Sequence, residues 1–298
     1  MIISKTPLRI SFAGGGTDLK SYYQRNIGAV VSTAIDKYVY ITVNKKFDDR
    51  LRVGYSKIEV VDKVDDIEHD LVREALKTTG VTKGVDIVYM SDMLPAQEAL
   101  GLGSSSSLIV GTLNALHALK GEHVSAEKLA KKACEIEIEK LSRPIGKQDQ
   151  YAAAFGGFNY IQFNKDGSVF VNPIICKQET KEKLKKNLLM FYTGLKAIST
   201  DNVLSEQNKN TENNLQNLDK MVDFAKELKR SLEQDNLDNF GNILHQGWML
   251  KQKLANGITN PAIDDYYEKA RKAGALGGKI LGSGGGGCLL FYCDEKYQ

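Results

Sequence analysis

Histidine and cysteine are scarce in this chain of 298 residues, which has four of each. The cysteines, Cys134, Cys176, Cys288 and Cys293, stand singly, without the close pairs of a zinc site or the density of a disulfide scaffold. We therefore expect four reduced thiols. The histidines show no metal-ligand spacing either, and we assign them no catalytic role.

Long apolar runs and an excess of one charge are also missing. No stretch approaches the roughly 18 uncharged apolar residues that span a bilayer, and the N-terminus lacks a basic region followed by an apolar core. Forty basic residues against 37 acidic ones leave a net charge of +3, which argues for neither nucleic acid nor an anionic membrane as partner. These absences predict a cytoplasmic globular protein.

Glycine is abundant, with 27 residues, and one glycine-rich stretch runs directly into a helix. Gly101 and Gly103 permit backbone conformations that are closed to other residues, and the four serines that follow form the first turn of a helix whose apolar spacing starts at Leu108. Free N–H groups and the positive end of the helix dipole favour a polyphosphate and its metal ion there. The alternative is an N-cap with a flexible serine-rich lead-in.

In chain order the first glycine cluster lies near the N-terminus, and the stretch at Gly101 is the second. Leu8, Ile10 and Phe12 alternate with polar residues, as on a strand with one buried face, and Gly14 to Gly16 end the strand. If these glycines turn the chain back, Arg9 and Asp18 converge on one polar cavity. The alternative is an edge strand with a surface ion pair.

The third cluster, Gly282 to Gly287, lies between two strand-like segments, 279–281 and 288–292. So many glycines cost too much conformational entropy to be kept without a close backbone approach to another group. We expect a further helix or strand to complete this layer beyond Gln298.

Two acids lie between the second and third clusters. Glu137 falls in the apolar stripe of a helix predicted over 126–141, so it needs a cation, a protonated state or a water-filled cleft. Mg²⁺ would meet that need, and a lysine or arginine would meet it equally well. Asp149 follows a Pro-x-Gly turn and could accept a proton from a substrate hydroxyl, with Lys147 assisting, or could simply cap the next helix.

The remaining pattern predicts a sheet of mainly short antiparallel strands with surrounding helices. The predicted strands are 29–35, 38–43, 51–55, 58–61 and 85–90, a hairpin over 158–171, and a buried strand over 188–193. The predicted helices are 67–80, 215–234, 237–256 and 263–273. Residues 202–217 have few apolar anchors and predict a mobile loop or loosely packed helix near an entrance.

Together, the segments Pro7–Asp18, Gly101–Ser106 and Gly282–Gly287 resemble the three motifs of the GHMP superfamily of small-molecule kinases, and the resemblance covers nearly the whole chain. It implies an α+β, two-domain fold. Residues 1–170 would form an N-terminal domain, like ribosomal protein S5 domain 2, with the phosphate-binding loop and the catalytic acid. Residues 171–298 would form a ferredoxin-like C-terminal domain with the third glycine loop.

The resemblance also implies roles for individual residues. Asp149 would be the catalytic acid–base and Arg9 the cation that steadies it, while Ser105 and Glu137 would hold Mg²⁺. The ATP phosphates would be wrapped by Gly101, Leu102, Gly103, Ser104, Ser105, Ser106 and Ser107. The substrate would contact Asp18, Gly15, Gly16, Thr17, Lys147, Gly284 and Gly285.

Gly15 and Gly16 replace the Glu-His pair that usually precedes Thr-Asp in this superfamily, which argues against galactose. The segments Ala13–Leu19 and Gly146–Tyr151 are similar to those of D-glycero-D-manno-heptose 7-phosphate 1-kinases. The implied reaction is transfer from ATP to the anomeric hydroxyl, giving the 1,7-bisphosphate. Alternatives are a fucokinase or galactokinase-like kinase of a neutral sugar, or a catalytically silent ATP and sugar sensor. Arg9, Glu137 and Asp149, all present, speak against the sensor.

A sugar phosphate needs a cation of its own, and four residues are unranked candidates: Lys20, Arg25, Lys37 and Lys147. Tyr22 and Tyr23 would either contact the sugar or pack in the core. A homodimer is left open.

Overall fold

The computed structural model describes residues 1–93, 100–195 and 200–298. The strands are β1 (Ile2–Ala13), β2 (Gly28–Lys45), β3 (Leu51–Gly54), β4 (Ile58–Val61), β5 (Val85–Ser91), β6 (Phe158–Phe163), β7 (Val169–Pro173), β8 (Leu188–Tyr192), β9 (Gly277–Ile280) and β10 (Cys288–Tyr292). The α-helices are α1 (Lys20–Tyr23), α2 (Asp70–Thr79), α3 (Ser104–Leu119), α4 (Ala126–Cys134), α5 (Gln148–Phe155), α6 (Gln178–Asn187), α7 (Thr200–Lys209), α8 (Leu215–Glu233), α9 (Phe240–Lys251) and α10 (Pro261–Lys272). The α+β class is confirmed.

The large sheet is built around β2. The two β-branched runs that predict separate strands, 29–35 and 38–43, form this single strand of 18 residues. It stays continuous because β1 pairs antiparallel along one edge, while β6 and β5 pair with successive halves of the other. The prediction of mainly short antiparallel strands is therefore wrong for β2, and β3 pairs parallel with β5.

Residues 171 onward contribute a smaller sheet with the order β8-β10-β9, in which both pairs are antiparallel. The strand predicted as buried over 188–193 is present as β8, but it lies at the sheet edge. Its Met190, Phe191 and Tyr192 are exposed. An apolar run alone cannot distinguish a central strand from an edge strand.

A single cluster of buried apolar side chains extends from Leu8 on β1 to Cys293 after β10. Phe12 packs edge-to-face on Phe240 of α9, with ring centroids 5.3 Å apart, so the two sheets share this core. The boundary at 170/171 stays a prediction, and β7 straddles it. Among the described residues, no helix combines the length and apolar content needed to cross a membrane.

The segment predicted to be loosely held over 202–217 contains an ordered helix, α7. Val203 and Gln207 are buried on its inner face, and the Asn208 side chain accepts a hydrogen bond from Ser21 at 2.9 Å. Its polar side chains hydrogen-bond to other segments, as Asn208 does to Ser21 on α1, and hydrophobic patterning does not register this source of order.

Candidate active site

The serine-rich stretch begins α3 as predicted. Gly101 and Gly103 both have left-handed φ values, +78° and +76°, and the first intrahelical bond joins the Ser107 amide to the Gly103 carbonyl at 3.0 Å. The amides of the first helical turn therefore lack partners within the helix, and Ser104, Ser105 and Ser106 line an adjacent cavity of about 530 Å³. We call this cavity the cleft. A helix start that opens into a cleft can bind anions.

The third glycine cluster closes against the second. A methyl group added at Gly282 would lie 2.5 Å from the Gly101 Cα, and one added at Gly101 would lie 2.3 Å from the Leu281 carbonyl oxygen. The two loops therefore touch backbone to backbone, which is the close approach that the glycine density predicts. Ser283 and Gly284 continue from this contact into the wall of the cleft.

Arg9 and Asp149 form a bidentate pair at the floor of the cleft. Arg9 Nε and Nη2 each donate to one Asp149 oxygen at 2.8 Å, and Nη1 donates to the Gly101 carbonyl at 2.5 Å. Arg9 is 4% exposed and Asp149 24% exposed, so the carboxylate is the more accessible partner of the pair. The register of β1 shifts between Pro7 and Arg9, a bulge that re-aims the arginine. Asp149 is the second residue of α5 and does not cap it.

Asp18 is buried at the other wall. Its carboxylate accepts hydrogen bonds from the backbone amides of Gly16 at 3.0 Å and Gln148 at 3.2 Å. Burial, and next the nearby charge of Asp149, raise the pKa of Asp18 above its ordinary value. A methyl group on Gly146 would lie 1.9 Å from an Asp18 oxygen, which explains the glycine in the Pro-x-Gly turn. Arg9 and Asp18 converge on one cavity, as predicted.

Glu137 occupies a π-helical turn, Glu135–Lys140, that continues α4. Its carboxylate is fully buried and accepts hydrogen bonds from Ser105 at 2.8 Å, Ser106 at 2.7 Å and Gln150 at 2.7 Å. Burial raises the pKa of Glu137, and these hydrogen bonds oppose the rise. Arg143 donates to Ser105 at 2.7 Å and lies 3.4 Å from Glu137, so an arginine partner exists.

The residues around Glu137 fit Mg²⁺ only in combination with a substrate. Among the described residues, no group of three histidine, cysteine or acidic side chains could hold a metal. Mg²⁺ commonly takes one or two protein oxygens and completes its shell with substrate phosphates and water. The Glu137 carboxylate and the Ser105 hydroxyl, which both line the cleft, supply that kind of donor set.

Most of the predicted site residues meet in the cleft. Those that line it are Arg9, Gly16, Asp18, Gly101, Leu102, Gly103, Ser104, Ser105, Ser106, Glu137, Asp149 and Gly284. Gly15 and Gly285 are not among its lining residues. Ser107 donates to the Pro7 carbonyl at 2.8 Å, and Thr17 is fully buried, with its hydroxyl bonded to backbone of Gly14 and Ala29.

The structure does not bring Lys147 into the cleft. Its ammonium donates to the Gly167 carbonyl at 2.8 Å and lies over the Tyr23 ring, 4.8 Å from the centroid. The other candidate phosphate-binding cations also lie outside the lining: Lys20, Arg25 and Lys37. Tyr22 and Tyr23 are buried, with the Tyr22 hydroxyl donating to Asp219 at 2.6 Å, so packing is their observed role.

Sequence reasoning missed several polar residues of the cleft wall, among them Arg143, Gln207 and Lys251. Lys251 falls on the buried face of α9 with Leu244 and Trp248, so it is a charge within an apolar stripe. The argument that singles out Glu137 on its helix therefore applies equally to Lys251. Gln207 occupies the space beside Gly16: a methyl group added at Gly16 would lie 2.3 Å from the Gln207 Nε2.

The cleft combines an anion-binding helix start with a half-open carboxylate held by an arginine, and this combination suits phosphoryl transfer to a hydroxyl. The class of protein that the fold and the site define is a small-molecule kinase. A model of the GHMP kinases N-terminal domain matches residues 67–157, and a model of the GHMP kinases C-terminal domain matches residues 217–298. The two matches cover more than half of the chain, which belongs to the GHMP kinase family.

Individual relatives refine this assignment. The chain is 29% identical to a D-glycero-alpha-D-manno-heptose 7-phosphate kinase from Campylobacter jejuni, over 100% of this chain and 91% of that protein. It is 28% identical to a mevalonate kinase from Thermococcus sibiricus, over 80% of this chain and 67% of the relative. A crystal structure described as a D-glycero-D-manno-heptose 1-phosphate kinase from Bacteroides thetaiotaomicron superposes with a TM-score of 0.81 at 26% identity, covering 99% of this chain and 89% of that one.

Proposed function

We propose that this protein transfers the γ-phosphoryl group of Mg·ATP to the anomeric hydroxyl of D-glycero-D-manno-heptose 7-phosphate, and that it does so in the cytoplasm. The observation that carries the proposal is that one cleft contains the start of α3, the Arg9–Asp149 pair and the buried Asp18. A phosphate donor and a hydroxyl acceptor can therefore meet at Asp149.

In the proposed reaction Asp149 accepts the proton of the acceptor hydroxyl. A bond forms between that oxygen and the γ-phosphorus, the bond to the β,γ-bridging oxygen breaks, and its electron pair leaves with ADP. Arg9 orients the Asp149 carboxylate through their two hydrogen bonds. The first turn of α3 holds the donor phosphates through its amides.

Glu137 and Ser105 would hold the magnesium ion, which when bound neutralises charge on the ATP phosphates. The chain's own part is to offer hydrogen bonds to this buried carboxylate. Those from Ser106 and Gln150 stabilise its charged form and oppose the pKa rise that burial causes.

Two observations support a heptose phosphate as the acceptor. The relative from Campylobacter jejuni that aligns over the whole chain is named for this substrate. In addition, Gly16 has no side chain at the cleft wall, and Gln207 fills the space beside it. The part of the cleft that would bind the acceptor therefore differs from that of a relative with the usual Glu-His pair. Asp18, with two backbone donors on its oxygens, is the proposed acceptor of sugar hydroxyl hydrogen bonds.

The test is ADP release with a panel of acceptors: heptose 7-phosphate, the unphosphorylated heptose, fucose, galactose and mevalonate. We expect kcat/KM to be highest for heptose 7-phosphate, and phosphorus NMR of the product to show a second phosphate at the anomeric carbon. A higher kcat/KM for fucose or galactose would mean that the acceptor is a neutral sugar, while the proposed phosphoryl transfer from ATP would stand. ATP binding without ADP release on any acceptor would contradict the kinase proposal and favour the sensor.

A further inference from the structure

Lys251 is the last residue of α9 and one of the most deeply buried charges of the molecule. It is 6% exposed, it lines the cleft, and its ammonium donates to the Gly282 carbonyl at 2.5 Å. Gly282 is the residue through which the third glycine loop touches the second. Lys251 therefore lies where the two loops meet.

Among the described residues, three cations line the cleft: Arg9, Arg143 and Lys251. Arg9 is committed to Asp149, and Arg143 donates to Asp70 at 2.9 Å as well as to Ser105. Lys251 differs, because no described carboxylate lies within 4.0 Å of its ammonium, and one backbone carbonyl accounts for only one of its three N–H donors.

This arrangement leaves a buried cation incompletely satisfied in the free protein. Burial, and next the positive charge of Arg9, lower the pKa of Lys251 to about 8, while Asp18 and Asp149 oppose the shift. Burying an ammonium without an ionic partner costs free energy, and an anion that binds beside the ammonium offsets that cost. Since the cleft presents the start of α3 to phosphates, the arriving anion is a phosphate.

We propose that Lys251 binds phosphate oxygens of the bound substrates beside the Arg9–Asp149 pair, and so supplies the positive charge that a P-loop lysine supplies in other nucleotide-binding folds. The proposal rests on the proposed kinase function. The phosphate has two possible sources, the γ-phosphoryl group in transit and the acceptor's own phosphate. Both present the same oxygens to the ammonium, and kinetics distinguish them.

The experiment compares wild type with Lys251→Met and Lys251→Gln. The glutamine removes the charge and still carries an N–H donor, although its side chain is one bond shorter than that of lysine. Lys253→Met is the matched control, because Lys253 is exposed, lies two residues away and does not line the cleft. Steady-state constants are measured for ATP, heptose 7-phosphate and unphosphorylated heptose, together with the melting temperature of each variant.

If Lys251 meets the phosphoryl group in transit, kcat falls about 10²-fold with both acceptors while KM for ATP changes little. If it meets the acceptor's phosphate, KM for heptose 7-phosphate rises by a similar factor and the constants for unphosphorylated heptose are unchanged. Either result supports the proposal, provided Lys253→Met stays within about twofold of wild type. Constants within about threefold of wild type for both acceptors in Lys251→Gln overturn it.

A purely structural role would give a different pattern, in which activity and melting temperature fall together and Lys251→Gln restores both relative to Lys251→Met. That result also overturns the proposal. If wild type turns over no acceptor, calorimetry with inorganic tripolyphosphate separates the two ideas. Weaker binding to Lys251→Gln, by about tenfold, would then uphold phosphate binding while the kinase function fails, and equal binding would overturn both.

Discussion

At the scale of single residues, the kinase proposal depends most on Asp149. Replacing it with asparagine removes the proton acceptor but keeps the size of the side chain and one oxygen for Arg9. We expect Asp149→Asn to lose about 10²-fold or more in kcat. Its ATP dissociation constant, measured by calorimetry, should stay within a few fold of wild type, since the α3 amides that we propose to hold the phosphates are untouched.

Asp166→Asn is the control for that variant, because Asp166 lies in the exposed β6–β7 turn with its carboxylate bonded to Ser168. It should retain full turnover. Wild-type kcat in Asp149→Asn would remove Asp149 from the proposed mechanism, whereas loss of ATP binding would assign it a structural role through Arg9.

The low pKa of Lys251 gives a pH dependence with a definite sign. Four charged groups act on it: Arg9 from β1, Lys279 from β9, Asp18 from the turn after β1, and Asp149 from α5. The ammonium is charged below its pKa of about 8 and neutral above it, so kcat/KM should be level up to that pH and then fall about tenfold per unit. Lys251→Arg should abolish this alkaline decline, because a guanidinium stays charged throughout the range.

The decline should be present in Lys253→Met, which leaves the cleft intact. In kcat it should move to higher pH, since a bound phosphate favours the charged amine. A wild-type kcat/KM that stays level up to pH 9.5 would show that the charge of Lys251 contributes nothing to catalysis.

At the scale of structural elements, the contact between the two glycine loops can be tested against a matched glycine. Gly282 and Gly80 have nearly the same φ, +69° and +70°, so alanine is forced into the left-handed region at both. A methyl group meets nothing within 4 Å at Gly80 but lies 2.5 Å from the Gly101 Cα at Gly282. The difference between the two alanine variants therefore isolates the clash.

We expect Gly282→Ala to lose about 2 kcal/mol more stability than Gly80→Ala, the usual scale of overpacking. It should also raise KM for ATP about tenfold or more, because a displaced loop moves the backbone that we propose to bind the phosphates. Thermal melts and ADP-release kinetics measure the two effects. Equal losses in the two variants would mean that the loops do not depend on each other.

Much at this scale could be predicted from the sequence, because the signals are local. Glycines at 101 and 103, a serine run and helical spacing together fix the start of α3, and a lone glutamate in an apolar stripe places Glu137 inward. Contacts that join distant segments could not be derived that way. Lys147 and Lys251 are both lysines near glycines, and only the tertiary structure turns one toward Gly167 and the other into the cleft.

At the scale of the whole molecule, the question is whether the parts before and after residue 170 unfold as one. Chains of this length often unfold domain by domain. Here, however, Lys279 of β9 donates to the Ser11 carbonyl of β1 at 2.9 Å, and the apolar cluster that includes Phe12 and Phe240 is continuous across the boundary. Separating the two parts would expose a buried ammonium together with apolar surface.

We therefore predict a single unfolding transition in urea. Trp248, the chain's one tryptophan, is fully buried on α9 and reports on the C-terminal part, while circular dichroism reports on the whole fold. The two curves should superimpose in wild type, and saturating Mg·ATP should move both to higher urea by the same amount, since a ligand held between the two glycine loops stabilises both parts at once. Two separated transitions would instead mean that the predicted boundary at 170/171 divides the chain into independently folding domains. If nucleotide shifted only one of them, ATP would be bound by residues of one domain alone.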